Sequence, residues 1–257
     1  MALDRVRDLK RRINSGQEVY GSWLTFTDPA VAEIAAGTGF DFVVIDGEHG
    51  GLGLETQQRL MTALNGSSTV PLVRLAANDP VWAKQALDGG AEGVVVPDVR
   101  SAQAAAAVVA ACRYPPDGVR GFGPRRAARY GRDGAAYVAA ANEALMVVIQ
   151  IEHREAVEAL DAILDVPGID ALMIGPNDLS GSYGRLGQYD DPEVAEAIAT
   201  ILAKAKAAGR PVCCGVPPAP GAFAEARAAG YRMFTVAADF AALGAAFDTA
   251  LAAAREG

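Results

Sequence analysis

The stretch Asp41-Phe42-Val43-Val44-Ile45-Asp46-Gly47-Glu48-His49-Gly50 decides how the rest of the chain is read. Phe42 to Ile45 is a short apolar run rich in β-branched residues, which suits a strand buried on both faces. It stops in a polar cluster, Asp46 to His49, where a buried strand would emerge. Upstream lies a helical stretch, residues 29–38, and downstream another, residues 55–64.

This unit of apolar strand, polar exit and helix recurs along the chain. Strands are expected at residues 20–25, 42–46, 71–74, 93–97, 145–152, 171–174, 211–215 and 233–237. Helices are expected at 29–38, 55–64, 80–89, 102–112, 154–164, 192–208, 222–229 and 240–255. Asp28-Pro29 and Asp79-Pro80 read as N-caps followed by proline in the first turn. Gly39, Gly90, Gly209 and Gly230 stand where helices should stop. Eight strands alternating with helices imply an α/β fold, a (β/α)8 TIM barrel. A doubly wound open sheet has the same local pattern, but no glycine-rich dinucleotide fingerprint supports it.

The bulk properties agree with one domain spanning residues 1–257, with 51% hydrophobic residues to fill a core. No apolar stretch approaches the roughly 20 residues that span a bilayer. The charged N-terminus, Met1 to Ile13, lacks the apolar segment of a secretory signal, so the cytoplasm is the expected location. Cys112, Cys213 and Cys214 form neither a disulfide framework nor a metal-ligand spacing. A net charge of −8 without a basic stripe argues against nucleic acid as partner, and nothing indicates a membrane.

A parallel barrel places its chemistry at the C-terminal ends of the strands. The second strand runs into Asp46-Gly47-Glu48-His49, the third ends at Arg74, and the fifth ends Gln150-Ile151-Glu152-His153. Gly175-Pro176-Asn177-Asp178 follows the sixth. Glu152 and Asp178 end consecutive strands, about 4.8 Å apart, and two carboxylates that close suit a hard divalent cation such as Mg²⁺ or Mn²⁺. The competing reading pairs each with an arginine or makes it a helix cap. With two histidines in the chain, a three-histidine zinc site is impossible.

His49, with Asp46 three residues earlier to fix its tautomer, suits proton transfer, and a structural histidine is the competing reading. His153 is expected to face outward or start a helix. Arg74 suits a substrate carboxylate held bidentately; a salt bridge to a neighbouring carboxylate is its alternative. Lys10, Lys84, Lys204 and Lys206 all fall in helical stretches, which removes Schiff-base chemistry and pyridoxal enzymes. The loop Gly121-Phe122-Gly123-Pro124-Arg125-Arg126 could hold an anion but lacks the setting of a phosphate-binding loop. Cys213-Cys214 is expected to pack as small hydrophobes.

At these residues the chain resembles the HpcH/HpaI aldolase family, the metal-dependent pyruvate aldolases. The resemblance rests on Gly39-Phe40-Asp41-Phe42 leading to Ile45-Asp46-Gly47-Glu48-His49, and on Leu87-Asp88-Gly89-Gly90-Ala91. It continues through Arg113-Tyr114-Pro115-Pro116 with Gly118, Arg120 and Gly121, then Gln150-Ile151-Glu152 and Ile174-Gly175-Pro176-Asn177-Asp178-Leu179-Ser180. The resemblance implies a divalent cation (Mg²⁺, Mn²⁺ or Co²⁺) on Glu152 and Asp178, and no organic cofactor. It implies that Arg74, Gln150, Gly175, Pro176, Asn177 and Trp23 bind substrate. His49, Asp46, Arg74 and nearby Asp88 would form the catalytic group. The implied reaction joins pyruvate, or a related 2-keto acid such as hydroxypyruvate, to an aldehyde through a metal-stabilised enolate.

An acyl-CoA lyase or citrate-synthase-like enzyme on the same barrel is the alternative, although no basic, adenine-sized groove is evident. A barrel that binds a keto acid without catalysis is a third reading, opposed by the complete residue set. The resemblance further implies a homohexamer, a trimer of dimers with the C-terminal helix exchanged between subunits. Phe240 to Leu251, apolar over much of its surface, suits that exchange. The prolines Pro217, Pro218 and Pro220 depart from the family pattern beside the expected aldehyde side of the mouth. The loop from Gly121 to Arg126, with Tyr130, resembles the branch that uses hydroxypyruvate-like nucleophiles.

Overall fold

Each apolar run becomes a strand, and the strands close on one another in chain order. The computed structural model describes residues 3–216 and 219–256. Its strands are β1 (Val19–Leu24), β2 (Phe42–Asp46), β3 (Val70–Arg74), β4 (Gly93–Val96), β5 (Met146–Ile151), β6 (Ala171–Ile174), β7 (Val212–Gly215) and β8 (Met233–Ala238). All pair in parallel, and β8 returns to β1, so the sheet is a closed barrel rather than an open one. Every residue of β2, β3, β4, β5 and β6 is buried, as expected of strands wrapped by helices on one side and filled by side chains on the other.

The first half of the chain carries helices α1 (Asp4–Asn14), α2 (Pro29–Thr38), α3 (Leu54–Ala63), α4 (Pro80–Asp88), α5 (Ala102–Cys112) and α6 (Gly134–Ala144). The second half carries α7 (Arg154–Glu158), α8 (Leu160–Leu164), α9 (Pro176–Ser182), α10 (Pro192–Ala207), α11 (Ala222–Ala229) and α12 (Asp239–Glu256). Asp28 accepts the Ala30 N–H at 2.9 Å and Asp79 accepts the Val81 N–H at 2.7 Å, so both expected N-caps form. Gly39 and Gly230 end their helices at φ 91° and 112°, a region that side chains disfavour. The helix expected over residues 154–164 breaks at Ala159 into α7 and α8.

Three helices lie outside the expected set: α1, α6 and the short α9. Helix α1 buries Val6, Leu9 and Ile13, one face of a helix whose other positions are mostly charged. It packs on β1, β3 and α6 and is pinned by ion pairs to the N-terminal side of alternate strands. Arg12 meets Asp41 at 2.6 Å before β2, Arg5 meets Glu92 at 2.7 Å before β4, and Lys10 meets Asp170 at 2.8 Å before β6. The N-terminal end of the barrel is thereby closed, leaving the C-terminal end as the open mouth.

All four lysines sit in helices, none at a strand end. Cys112, Cys213 and Cys214 are free thiols, and Cys213 is fully buried in β7 as a small hydrophobe. Helix α12 leaves the barrel after Asp239, whose carboxylate takes the Thr25 and Phe26 N–H groups at 2.7 and 2.8 Å. Beyond that anchor it exposes Phe240, Leu243, Phe247 and Leu251. Pro217 and Pro218, expected to border the mouth, lie outside the described residues. No helix among the described residues is long and apolar enough to cross a membrane.

Candidate active site

The polar exits of β2, β3, β5 and β6 meet at the mouth. Asp46 and Arg74 end neighbouring strands in register and form a two-pronged ion pair: Arg74 Nε donates to Asp46 Oδ1 at 2.9 Å and Nη2 to Oδ2 at 2.7 Å. Gly47 allows this close exit, since a Cβ there would lie 2.6 Å from the Arg74 carbonyl oxygen. The guanidinium stacks on Trp23 of β1, 4.5 Å from its ring centroid, and Trp23 Nε1 donates to Thr235 Oγ1 at 3.1 Å. The third nitrogen, Nη1, lies 3.1 Å from Glu48 Oε2.

These contacts correct two expectations. The fork of Arg74 is engaged by Asp46, so a substrate carboxylate meets at most its remaining edge. Asp46 does not orient the His49 ring. Its Oδ1 accepts the backbone N–H groups of Glu48 and His49 at 3.1 Å each, closing the turn. The carboxylate facing the imidazole belongs to Glu48, 3.9 Å from Nε2, and the His49 side chain is 64% exposed. Burial works against Asp46 ionising, but Arg74 and the turn amides hold its carboxyl below the usual aspartate range. Burial drives Glu48 the other way, with the Arg74 charge opposing and the Glu152 charge adding to the push.

Glu152 follows the last residue of β5, and Asp178 lies in the first turn of α9, after β6. Both line a cavity of about 370 Å³, with Glu48, His49, Asp98, Arg100, His153 and Ser182 on its other sides. Among the described residues no lysine or arginine pairs with either carboxylate, which sets aside the ion-pair reading. Glu152 Oε1 instead accepts the Asp98 N–H at 2.7 Å, and Oε2 accepts from Gln150 Nε2. Burial raises the Glu152 carboxyl above the usual glutamate range; its hydrogen bonds oppose the rise and the Asp178 charge adds to it. Gly175 makes room for this arrangement, since a Cβ there would sit 2.5 Å from Glu152 Oε2 and 2.8 Å from Gln150 Nε2.

The donor set fits a hard cation. Two carboxylates repel across a shared cavity, and the Gln150 Oε1 acceptor is buried without a partner. No three His, Cys, Asp or Glu side chains converge as a ligand set among the described residues, so water or substrate oxygens would complete the shell.

Other expected residues fall elsewhere. His153 caps α7, its Nδ1 accepting the Glu155 N–H at 3.3 Å, as its position in the sequence suggested. Asn177 is exposed at the start of α9, where its Oδ1 accepts from the Tyr189 hydroxyl. Asp88 is not near His49 within one chain. It ends α4, which runs antiparallel to the strands and so finishes at the closed end, where Asp88 holds Arg120 at 2.6 Å. The loop carrying Phe122 and Arg126 lies at that closed end too: Arg126 bonds the Gly89 carbonyl at 2.9 Å. Sequence reasoning gave no separate role to Glu48 or Asp98. Glu48 was visible beside His49, whereas nothing in the sequence announces that the Asp98 backbone reaches Glu152.

A comparison with known proteins bears on this geometry. Residues 19–246 match the family described as HpcH/HpaI aldolase/citrate lyase. A hydroxypyruvate/pyruvate aldolase of Roseovarius nubinhibens is 41% identical over 202 residues, 78% of this chain and 79% of that protein. A 4-hydroxy-2-oxo-heptane-1,7-dioate aldolase of Salmonella dublin is 40% identical over 246 residues, 95% of this chain and 89% of that one. The crystal structure of an HpcH/HpaI aldolase/citrate lyase family protein from Burkholderia cenocepacia superposes with a TM-score of 0.92 at 34% identity, covering 97% of this chain and 99% of the other. With these matches along most of its length, the chain belongs to the HpcH/HpaI aldolase/citrate lyase family and is an aldolase, a carbon–carbon lyase.

Proposed function

We propose that the chain joins pyruvate or hydroxypyruvate reversibly to an aldehyde at the mouth of the barrel, with Glu152 and Asp178 holding a divalent cation. The observation that carries this reading is the Glu152–Asp178 pair facing one cavity with no basic partner of its own among the described residues. Metal dependence is typical of the family's class II aldolases. Mg²⁺, Mn²⁺ or Co²⁺ suits the oxygen donors, and no organic cofactor enters the reading. When bound, such a cation acts as a Lewis acid on the keto acid's oxygens and makes its C3 protons labile.

The chain's own residues then have separable tasks. Gln150 and the open N–H groups at the start of α9, beyond Gly175 and Pro176, orient the keto acid. Arg74 places positive charge beside it, held by Asp46 and by the face of Trp23. His49 Nε2, exposed at the mouth beside Glu48, takes up and returns the proton. Asp46 serves as the clamp on Arg74 rather than as a partner of the imidazole. Asp88 has no task at this mouth within a single chain.

The same reading takes residues 1–257 as one domain, acting on small-molecule keto acid and aldehyde, in the cytoplasm. The homohexamer, a trimer of dimers, gains support from α12, whose exposed Phe240, Leu243, Phe247 and Leu251 need cover that a second copy could provide. The direct test is product formation from pyruvate or hydroxypyruvate with a panel of aldehydes, followed by mass spectrometry with and without added Mg²⁺ or Mn²⁺. Metal-dependent addition products support the reading; none with either keto acid would sink it.

A further inference from the structure

Strand β8 carries a hydroxyl that a strand does not need. A β-branched residue suits Thr235, but valine would fill nearly the same volume with no polar group to desolvate. Thr235 is only 3% exposed, so its hydroxyl is committed to partners inside the protein. We infer that Thr235 is a positioning residue for the keto acid, acting through Trp23 on Arg74. The inference deepens the aldolase reading above and rests on it.

The hydroxyl has two partners. It donates to the Cys214 carbonyl of β7 at 3.3 Å and accepts from Trp23 Nε1 of β1 at 3.1 Å. The first bond fixes where the hydroxyl proton points, which leaves its lone pairs for the indole. Strand register brings the two side chains together. Gly21 of β1 pairs with Thr235, whereas the next residue, Ser22, pairs with Ala237, so Val236 is passed over. Irregularities of this kind re-aim side chains at barrel rims. The indole thereby reaches back to a residue earlier in β8 than Ala238, the backbone partner of Trp23.

Trp23 passes the constraint on to Arg74. Asp46 engages Nε and Nη2 side by side, which fixes the guanidinium within one plane but not its tilt out of that plane. The indole face, with its centroid 4.5 Å from Cζ, resists the tilt. What the tilt moves is Nη1, the nitrogen that Asp46 leaves over, 3.1 Å from Glu48. That nitrogen is the edge of Arg74 left to meet a keto acid. Thr235 is not among the residues lining the cavity, so it works only through the indole.

The backbone of Thr235 makes a separate tie. Its carbonyl accepts the Val216 N–H at 3.0 Å, at the exit of β7, where the aldehyde side of the mouth is expected. Substitution of the side chain leaves that bond in place, so the effect of losing the hydroxyl should fall on the keto acid alone.

Thr235→Val and Thr235→Ser separate positioning from packing, because the two roles rank them oppositely. Valine keeps the shape and loses the hydroxyl; serine keeps the hydroxyl and loses a buried methyl. A residue that only packs is harmed more by serine. The assay is metal-dependent exchange of pyruvate C3 protons with D₂O, or of hydroxypyruvate where pyruvate does not exchange. Thr235→Val should raise the apparent KM for the keto acid about fivefold, the scale of one hydrogen bond, and Thr235→Ser should stay within about twofold of wild type. Mn²⁺ affinity and the KM for butanal as acceptor should not change in either. In Trp82→Phe protein, where Trp23 is the sole tryptophan, its emission maximum should shift with Thr235→Val and return with Thr235→Ser. A wild-type KM in Thr235→Val, an unshifted emission, or equal impairment in Thr235→Ser would overturn the inference. Any of these alongside normal exchange in the wild-type protein removes the role of Thr235 alone. No exchange of either keto acid in the wild-type protein removes the aldolase reading and this inference with it.

Discussion

The two ends of the barrel carry similar side chains and use them differently. At the closed end four half-buried carboxylates each have a basic partner: Asp41 with Arg12, Glu92 with Arg5, Asp170 with Lys10, and Asp88 with Arg120. At the open end carboxylates outnumber their partners among the described residues: Glu48 lies beside the Arg74–Asp46 pair and shares a cavity with Glu152 and Asp178. Residue type alone does not separate structure from chemistry. Pairing does. A satisfied charge holds the fold together, whereas carboxylates left facing one another ask for a cation.

That contrast can be broken most severely at Glu152 or Asp178. Glu152→Ala or Asp178→Ala should weaken Mn²⁺ binding, read by calorimetry, by more than the roughly 10–100-fold typical of losing an outer partner of a metal site. Circular dichroism should show the barrel intact, because neither side chain neutralises a buried positive charge. Wild-type Mn²⁺ affinity in both variants would refute the assignment.

Next comes His49→Ala, which should slow proton exchange about 100-fold, the lower end for a positioned acid or base, with little change in Mn²⁺ affinity. Exchange at the wild-type rate would leave the exposed imidazole without a role. At the closed end the signs reverse. Arg5→Ala strands Glu92 against the barrel floor and should cost about 3 kcal/mol of stability, visible in denaturant unfolding, with Mn²⁺ binding retained. Loss of metal binding with unchanged stability would contradict the division of labour between the two ends.

The smallest effect sharpens the one structural pair at the mouth. Asp46→Asn should destabilise the protein by about 2 kcal/mol near neutral pH, less than the roughly 3–5 kcal/mol of a fully orphaned buried charge, because Glu48 still faces Arg74. Asp46 titrates below the ordinary aspartate range when folded, so its stabilisation is present above that range and lost as pH falls through its depressed pKa. The gap between wild type and Asp46→Asn should therefore narrow in acid. A gap constant with pH would mean that the pair contributes no charge-dependent stability.

How much of this was legible beforehand follows from what carries each signal. Strands β2 to β6 were visible because a strand buried on both faces must be apolar throughout, as Phe42 to Ile45 are; β1, β7 and β8, partly exposed, showed by their short apolar runs between helices. Helix α1 was overlooked because seven of its eleven residues are charged, although Val6, Leu9 and Ile13 mark its buried face. That Glu152 and Asp178 share one cavity was readable from their positions at the ends of neighbouring strands. The partner of the His49 ring was not, since three residues of separation cannot say whether Asp46 faces an imidazole or its own turn. The place of Asp88 within its own chain was hidden for a related reason: its motif is local, and only the antiparallel course of α4 sends it to the closed end of its own barrel.

The account stands on whether the open carboxylates of the mouth make a keto acid labile. Proton NMR of pyruvate in D₂O with chelator-stripped protein, before and after Mg²⁺ or Mn²⁺ and again after re-chelation, asks this without an aldehyde. The account predicts loss of the methyl signal only while metal is present, and no loss in Glu152→Ala. Exchange that persists after chelation, or that never appears with either metal and either keto acid, would contradict it.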